Sequence, residues 1–101
     1  VPQAYRDISL ELLLENDLAI VQRLMIKPGQ WTGIHSHPGN QIYIYIKGGI
    51  WSARRNGEQS PPAAFSEAGS VGWVDAIDLK EGHNHGNTGD TTMHLVLVTL
   101  K

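Results

Sequence analysis

Cysteine is absent from the 101 residues, which excludes disulfide bonds, thiolate metal ligands and a cysteine nucleophile. Basic residues do not outnumber acidic ones, because the chain has eight Lys and Arg and ten Asp and Glu. We therefore expect no nucleic-acid partner. Long apolar runs and a leader-like N-terminus are also missing, so we expect no membrane partner, a soluble protein and, by default, a cytoplasmic location. Histidine, carboxylate and amide groups remain for chemistry.

Short alternating apolar segments separated by glycine turns fill the chain instead. The length, with 41% hydrophobic and 18% charged residues, predicts one domain spanning 1–101. Period-two alternation predicts strands, the first with one buried face and joined to the second through an Asn16-Asp17 turn; the predicted strands are 8–14, 18–26, 41–47, 50–55, 71–74 and 91–101. Because no amphipathic helix is evident, we predict an all-β sandwich or barrel.

The segment 41–47 has the clearest alternation. One face of this strand carries Gln41, Tyr43 and Tyr45, and the other face carries three isoleucines. Because the domain is small, the isoleucine face must be buried by either a second sheet or a second copy of the chain. We expect a homodimer, with the N-terminal strand region 1–16 as a candidate part of the interface.

Two histidines precede this strand. On extended chain His35 and His37 would point to one side, about 7 Å apart, with the Gln41 side-chain oxygen close enough to aim at the same point. A third imidazole would come from His83 or His85, which also share a parity. Three imidazoles and an amide oxygen suit a divalent transition metal (iron, manganese, nickel, copper or zinc) better than calcium.

Five positions in and around this stretch resemble the first motif of the cupin family. That motif is glycine, five residues, His-x-His, three or four residues, glutamate, six residues, glycine. Gly29, His35, His37, Gln41 and Gly48 stand at those spacings. The one change is glutamine for glutamate.

The family's second motif is matched in part. His83 and Asn87 stand at its histidine-to-asparagine separation, but its preceding glycine and proline positions match poorly. The resemblance covers about residues 17–101. It implies a double-stranded β-helix (jelly-roll) barrel, often dimeric, with metal inside and His83 rather than His85 as the third histidine ligand.

The glutamine makes the predicted site one negative charge poorer, because an amide oxygen is a neutral and weaker donor. We expect weaker metal retention and a stronger pull on an anionic or enolisable substrate. Alternatively Gln41 does not ligate, which leaves a three-histidine site open to water and substrate.

The leading hypothesis is a metal-dependent enzyme acting on a small organic molecule, with dioxygenase chemistry first among reaction types. Non-redox isomerase or lyase chemistry and a non-catalytic ligand-binding or sensor module stay open. Tyr43, Tyr45 and His85 are candidates to orient substrate or move a proton, although the tyrosines would equally serve packing and His85 would equally be a solvated turn residue. Asn87 is expected to secure the turn that follows it.

Overall fold

The computed structural model describes residues 8–32, 39–54, 63–76 and 84–101. Every regular element in these ranges is a β-strand and every strand pair is antiparallel, which confirms the all-β prediction. The strands are β1 (Ser9–Glu15), β2 (Ala19–Ile26), β3 (Gln41–Lys47), β4 (Gly49–Arg54), β5 (Ala64–Ser66), β6 (Val71–Val74), β7 (Asn84–Asn87) and β8 (Met93–Leu100). They form a five-stranded sheet, β1-β2-β8-β3-β6, and a three-stranded sheet, β5-β4-β7. None of the described residues belongs to a helix that could span a membrane.

The core lies on the face of the five-stranded sheet that looks toward the three-stranded sheet, called here the inner face. Alternate side chains of β8 project into it, and the half-buried Trp51 of β4 packs against it from the other sheet. Its buried members are Ile8, Leu24, Ile26, Tyr45, Met93, Leu95 and Leu97. Each buried aliphatic side chain of this size contributes about 1.5–3 kcal/mol relative to an exposed one, so this cluster is the main stabilising element of the described structure.

Strand β1 departs from its prediction. The sequence pattern predicts one buried face, but all seven residues of β1 are exposed. The strand pairs with β2 alone at the sheet edge, and its register shifts between Leu12 and Leu14. Alternation correctly indicates a strand but cannot show what covers it, and within the described residues nothing does.

The opposite side of the five-stranded sheet, called the outer face, is apolar along a row that crosses all five strands. Successive strand partners place five apolar side chains side by side: Leu14, Val21, Val98, Ile42 and Trp73. The next row has three apolar residues on β8, β3 and β6, which are Val96, Ile44 and Val71, and the ion pair of Arg23 with Glu11 on β2 and β1. Ile46, the third isoleucine expected on this face, does not extend these rows. The register shifts between Tyr45 and Lys47, so that Lys47 and not Ile46 lies opposite His94.

Two glycines of the predicted motif are required for different reasons. Gly29 has a φ of 81°, in the left-handed region that other residues enter only with strain. A Cβ atom at Gly48 would collide with the backbone carbonyl of Ser66, so the turn between β3 and β4 can approach β5 only without a side chain.

Candidate functional site

Three of the four predicted metal ligands lie outside the described residues. His35 and His37 fall in the segment 33–38, and His83 falls in the segment 77–83. Within the four described ranges, no group of three or more His, Cys, Asp or Glu side chains comes together. The structure therefore constrains the predicted centre through Gln41 and through the strand ends next to these two segments.

Two sets of hydrogen bonds hold those strand ends. In the first, called anchor one, the Thr32 amide donates to the His85 carbonyl at 2.8 Å and the His85 amide donates to Thr32 Oγ1 at 3.2 Å. In the second, called anchor two, the Asn40 carbonyl accepts from the Leu100 amide at 2.9 Å and Asn40 Oδ1 accepts from the Ala76 amide at 2.9 Å. Each anchor joins backbone that is far apart in sequence.

Both histidine-bearing segments run between the same two anchors. In the sequence, segment 33–38 lies between Thr32 of anchor one and Asn40 of anchor two. Segment 77–83 lies between Ala76 of anchor two and His85 of anchor one. The described ends of both segments are therefore held at the same two places.

Gln41 opens β3 on the inner face and is 6% exposed. Its Nε2 donates to Thr99 Oγ1 on the adjacent strand β8 at 2.9 Å, where Gln41 and Thr99 are direct cross-strand partners. That bond uses the amino end of the amide. The oxygen end of an amide can accept from a ligand or bind a cation.

Tyr43 and Tyr45 follow Gln41 along the inner face, about 7 and 13 Å away along the strand. Their rings meet edge to face, with centroids 5.7 Å apart. Tyr43 is half-buried and its ring lies against Gly72 of β6. Tyr45 is 1% exposed and belongs to the core cluster. The nearer tyrosine is therefore the one placed to touch a molecule held at Gln41, whereas Tyr45 lies deeper.

The hydroxyl of Tyr45 is buried and makes no hydrogen bond with any part of the chain that the structure describes. The pKa of Tyr45 is raised to about 12, chiefly by desolvation; the nearby Ser66 hydroxyl opposes this rise, and Tyr43 adds a smaller contribution to it. The hydroxyl is consequently neutral throughout the physiological pH range and is not a base.

His85 lies on β7, with its ring stacked on the Trp51 indole at a centroid distance of 4.8 Å and an interplanar angle of 18°. Trp51 is itself fixed, because its Nε1 donates to Ser66 Oγ at 2.9 Å. The sequence left open a solvated turn for His85; the structure instead makes it a half-buried strand residue packed on an aromatic ring.

Asn87 closes the other end of β7 and is fully buried. Its Nδ2 donates to the carbonyls of Ile26 and Thr91, each at 2.7 Å, and its Oδ1 accepts from the Gly89 amide at 3.0 Å. The prediction that Asn87 secures the turn is confirmed. Every polar atom of this side chain is thereby used, which fixes the strand carrying His85.

Sequence reasoning missed Thr99 and gave Trp51 no specific role. Parity places Thr99 on the same face of β8 as Leu97, but only the β3–β8 register pairs it with Gln41. Nothing in the sequence specified that Trp51 would stack on His85. Both contacts depend on pairings between distant segments.

Comparisons with known proteins bear on the fold. No protein-family model matches the chain, and no curated protein matches it at a significant level. Among solved structures, it is similar to a cupin domain from Bordetella pertussis (TM-score 0.79, 20% identity, 93% of each chain covered). It is also similar to a cupin superfamily protein from Desulfitobacterium hafniense (TM-score 0.68, 14% identity, covering 97% of this chain and 81% of that one).

A further similar structure is a predicted oxalate decarboxylase from Thermotoga maritima (TM-score 0.64, 27% identity, covering 93% of this chain and 81% of that one). Two packed antiparallel sheets with a polar group inside one end define a small β-barrel of the double-stranded β-helix class. The chain has the cupin fold, and its resemblance to the cupin superfamily is confirmed at that level.

Proposed function

We propose that the protein is a metal-dependent cupin enzyme acting on a small organic molecule. The residues that would hold the metal are His35, His37 and His83, with Gln41 Oε1 as a fourth ligand. The observation that carries the proposal is the placement of Gln41, a buried side chain on the inner face whose Nε2 donates to Thr99 Oγ1, beside the strand ends that flank the histidine-bearing segments.

The donor set fits a divalent transition ion. Neutral imidazoles together with one amide oxygen are borderline donors that suit iron, manganese, nickel, copper or zinc. The two anchors support convergence, because the segments bearing the histidines start and finish at the same two places. When bound, such an ion would act as a Lewis acid, and a redox-active one would also exchange electrons with dioxygen.

The chain's own residues would handle the organic molecule. Tyr43 is half-buried one inner-face position beyond Gln41, so its ring and hydroxyl would contact and orient a substrate. His85 is held by its stack on Trp51 and would accept or donate a proton. Tyr45, buried and neutral, would close the floor and exclude water, with its hydroxyl as a fixed polar group.

The reaction class we place first is oxygenative cleavage of an enolisable or phenolic substrate, in which a carbon–carbon bond breaks and both atoms of dioxygen enter the products. Non-redox isomerase or lyase chemistry is the second candidate, and the Thermotoga maritima protein described as a predicted oxalate decarboxylase favours decarboxylation within it. A sensor or storage module that binds a small ligand without turnover is the rival from outside enzymology.

One experiment separates these candidates. Protein purified without added metal is analysed for bound elements, and oxygen uptake is then measured against enols, phenols and carboxylic acids. Stoichiometric iron with substrate-dependent uptake supports the dioxygenase. Another metal with carbon dioxide release and no uptake supports the lyase, while failure to retain any transition metal, even after incubation with each ion, refutes metal-dependent catalysis.

We also propose that the outer face pairs with a second copy of the chain. Five strands, β1 among them, spaced about 4.8 Å apart and up to eight residues long present roughly 500–600 Å² as a flat projection, the greater part of the ~800 Å² per partner of a stable interface. On this face β1 contributes the exposed Leu14 to the apolar row.

A charge on this face tests the dimer. Val71 is 65% exposed and lies on the outer face, whereas Phe65 is 66% exposed on the other sheet. We expect Val71→Glu to give a monomeric mass in light scattering at micromolar concentration, with Phe65→Glu remaining dimeric as the matched control. A wild-type protein that is monomeric, or a Val71→Glu variant that still dimerises, would count against the interface.

A further inference from the structure

We propose that the outer-face dimer has one orientation, in which the strands of the two copies run antiparallel and Lys47 of each copy meets the partner's Asp75. This inference rests on the dimer proposed above. Two identical chains in a closed dimer are related by a two-fold axis, and for two sheets packed face to face this axis lies in the plane between them. Because packed sheets usually keep their strands aligned to within about 30°, the axis runs either along the strands or across them.

The apolar side chains of the outer face do not distinguish these two axes. They form a block of two rows across β8, β3 and β6, centred on β3, with Val96, Ile44 and Val71 in one row and Val98, Ile42 and Trp73 in the other. Rotation about either axis through the centre of this block places apolar side chains on apolar side chains. Hydrophobic burial therefore favours the contact without fixing its orientation.

Opposite charges lie beyond the two ends of the block. At one end, Lys47 lies opposite His94, is exposed and enters neither of the described ion pairs. At the other end, Asp75 directly follows β6 and is exposed, and its Oδ1 accepts from Trp73 Nε1 at 2.8 Å. This bond holds the carboxylate at the outer face. About 20 Å of strand separates Lys47 from Asp75 in one copy, so the two cannot pair within a chain.

Each axis brings different charged groups together. An axis along the strands through β3 places Lys47 over the partner's Lys47, and like charges that face each other oppose association. An axis across the strands instead places Lys47 over the start of the partner's β3, where the partner's Asp75 lies one strand away, about 4.8 Å to the side. Since the contact is isologous, this pair forms twice. Charge complementarity therefore selects the axis across the strands.

This orientation reaches the strand ends that flank the candidate site. Asp75 directly precedes Ala76, whose amide donates to Asn40 Oδ1 in anchor two. The partner's Lys47 would therefore lie beside anchor two, one of the two places where the ends of the histidine-bearing segments are held. Dimer formation would stabilise those strand ends, whereas an axis along the strands would leave them without a charged partner.

A charge swap tests the contact through the dissociation constant of the dimer, measured by analytical ultracentrifugation at low ionic strength. We expect Lys47→Glu and Asp75→Lys each to weaken the dimer about tenfold, because two modest attractive pairs become two repulsive ones. The double variant Lys47→Glu/Asp75→Lys restores both pairs and should return to within about threefold of wild type. Asp90→Lys is the matched control for the change in net charge, because Asp90 is exposed in the turn between β7 and β8; it should stay within about twofold.

Cross-linking tests the geometry independently of charge. The chain has no cysteine, so an introduced thiol is the only one to react. With a short bismaleimide, Lys47→Cys/Asp75→Cys should give a covalent dimer, and each single variant should not. A covalent dimer of the single Lys47→Cys variant would instead indicate the axis along the strands.

The outcomes separate the orientation from the dimer itself. If Lys47→Cys cross-links alone, or if the charge-swapped double variant dimerises no better than the single variants, the orientation is overturned while the dimer stands. If wild type is monomeric at micromolar concentration, the proposed dimer fails and its orientation fails with it. Rescue by the double charge swap, together with cross-linking of the double cysteine variant alone, supports both.

Discussion

Replacing Asn87 by aspartate should destabilise the protein far more than its nearly unchanged shape suggests. The side chain is fully buried, and its Nδ2 donates to two carbonyls at 2.7 Å. An ionised carboxylate has no proton for either carbonyl and would place an oxygen beside them. Two lost hydrogen bonds at about 1 kcal/mol each, with the buried Ile26 carbonyl left unsatisfied at about 1–3 kcal/mol, predict a loss of about 3–5 kcal/mol. Domains have only about 5–15 kcal/mol in total.

The same variant carries a pH signature. The opposing carbonyls and the burial would raise the folded-state pKa of the introduced carboxyl, because only the protonated form can donate to one carbonyl. A raised folded pKa gives stability that is present below the unfolded pKa, near 4, and is lost as pH rises through the folded value. The deficit of Asn87→Asp relative to wild type should therefore be smaller at pH 4.5 than at pH 7.5.

Urea unfolding followed by tryptophan fluorescence, at one fixed protein concentration because association affects stability, measures both effects. Asn16→Asp is the matched control, because Asn16 is exposed and, among the described residues, its side chain uses only Oδ1. This oxygen accepts from the Leu18 and Ala19 amides, which a carboxylate also does. We expect that variant to stay within about 0.5 kcal/mol of wild type. An Asn87→Asp variant that matched it, or whose deficit did not change with pH, would refute the hydrogen-bond reasoning.

Two further predictions concern the core and the motif glycines. Tyr45→Phe removes a buried hydroxyl that has no hydrogen bond in the described structure, so stability at pH 7 should fall by less than about 1 kcal/mol. Burial raises the pKa of Tyr45 from 10.0 to about 12, so at pH 10.5 the tyrosine ionises in the unfolded chain first. Wild type should therefore lose about 0.8 kcal/mol of stability relative to Tyr45→Phe at that pH. A pH-independent difference between the two proteins in urea unfolding would argue against the pKa shift. Gly48→Ala should cost about 2–3 kcal/mol of stability, because the added methyl group meets the Ser66 carbonyl. Gly29→Ala should cost roughly 1 kcal/mol, because only the positive φ opposes the change. Thermal unfolding in the reverse order would contradict this.

Local alternation predicted the strands well where one face is buried within the chain. On β3, Gln41, Tyr43 and Tyr45 share the inner face as their parity requires, and the final strand of the sequence forms β8. The short strands β5 and β7 were not predicted, because three residues in β5 and four mostly polar or small residues in β7 are too few for a periodic apolar pattern to emerge. Strand β1 alternates as expected but lacks a buried face, since burial depends on what lies opposite and not on the strand itself.

The candidate site divides in the same way. The glycine and histidine spacing correctly indicated the cupin fold, and the parity of the third strand placed Gln41 on the inner face. It did not show that Thr99 holds the Gln41 amide or that Trp51 stacks on His85, because each contact joins strands that are far apart in the chain. Metal coordination by His35, His37 and His83 stays a prediction.

By itself, the sequence determined which segments are extended, which side chains share a face and where glycine is needed, because these depend on the two-residue period of a strand and on local backbone geometry. The tertiary structure decided which strands pair, in what register, and which faces stay uncovered. Those outcomes follow from the closure of two sheets over one core, where a shift of one residue changes every cross-strand contact.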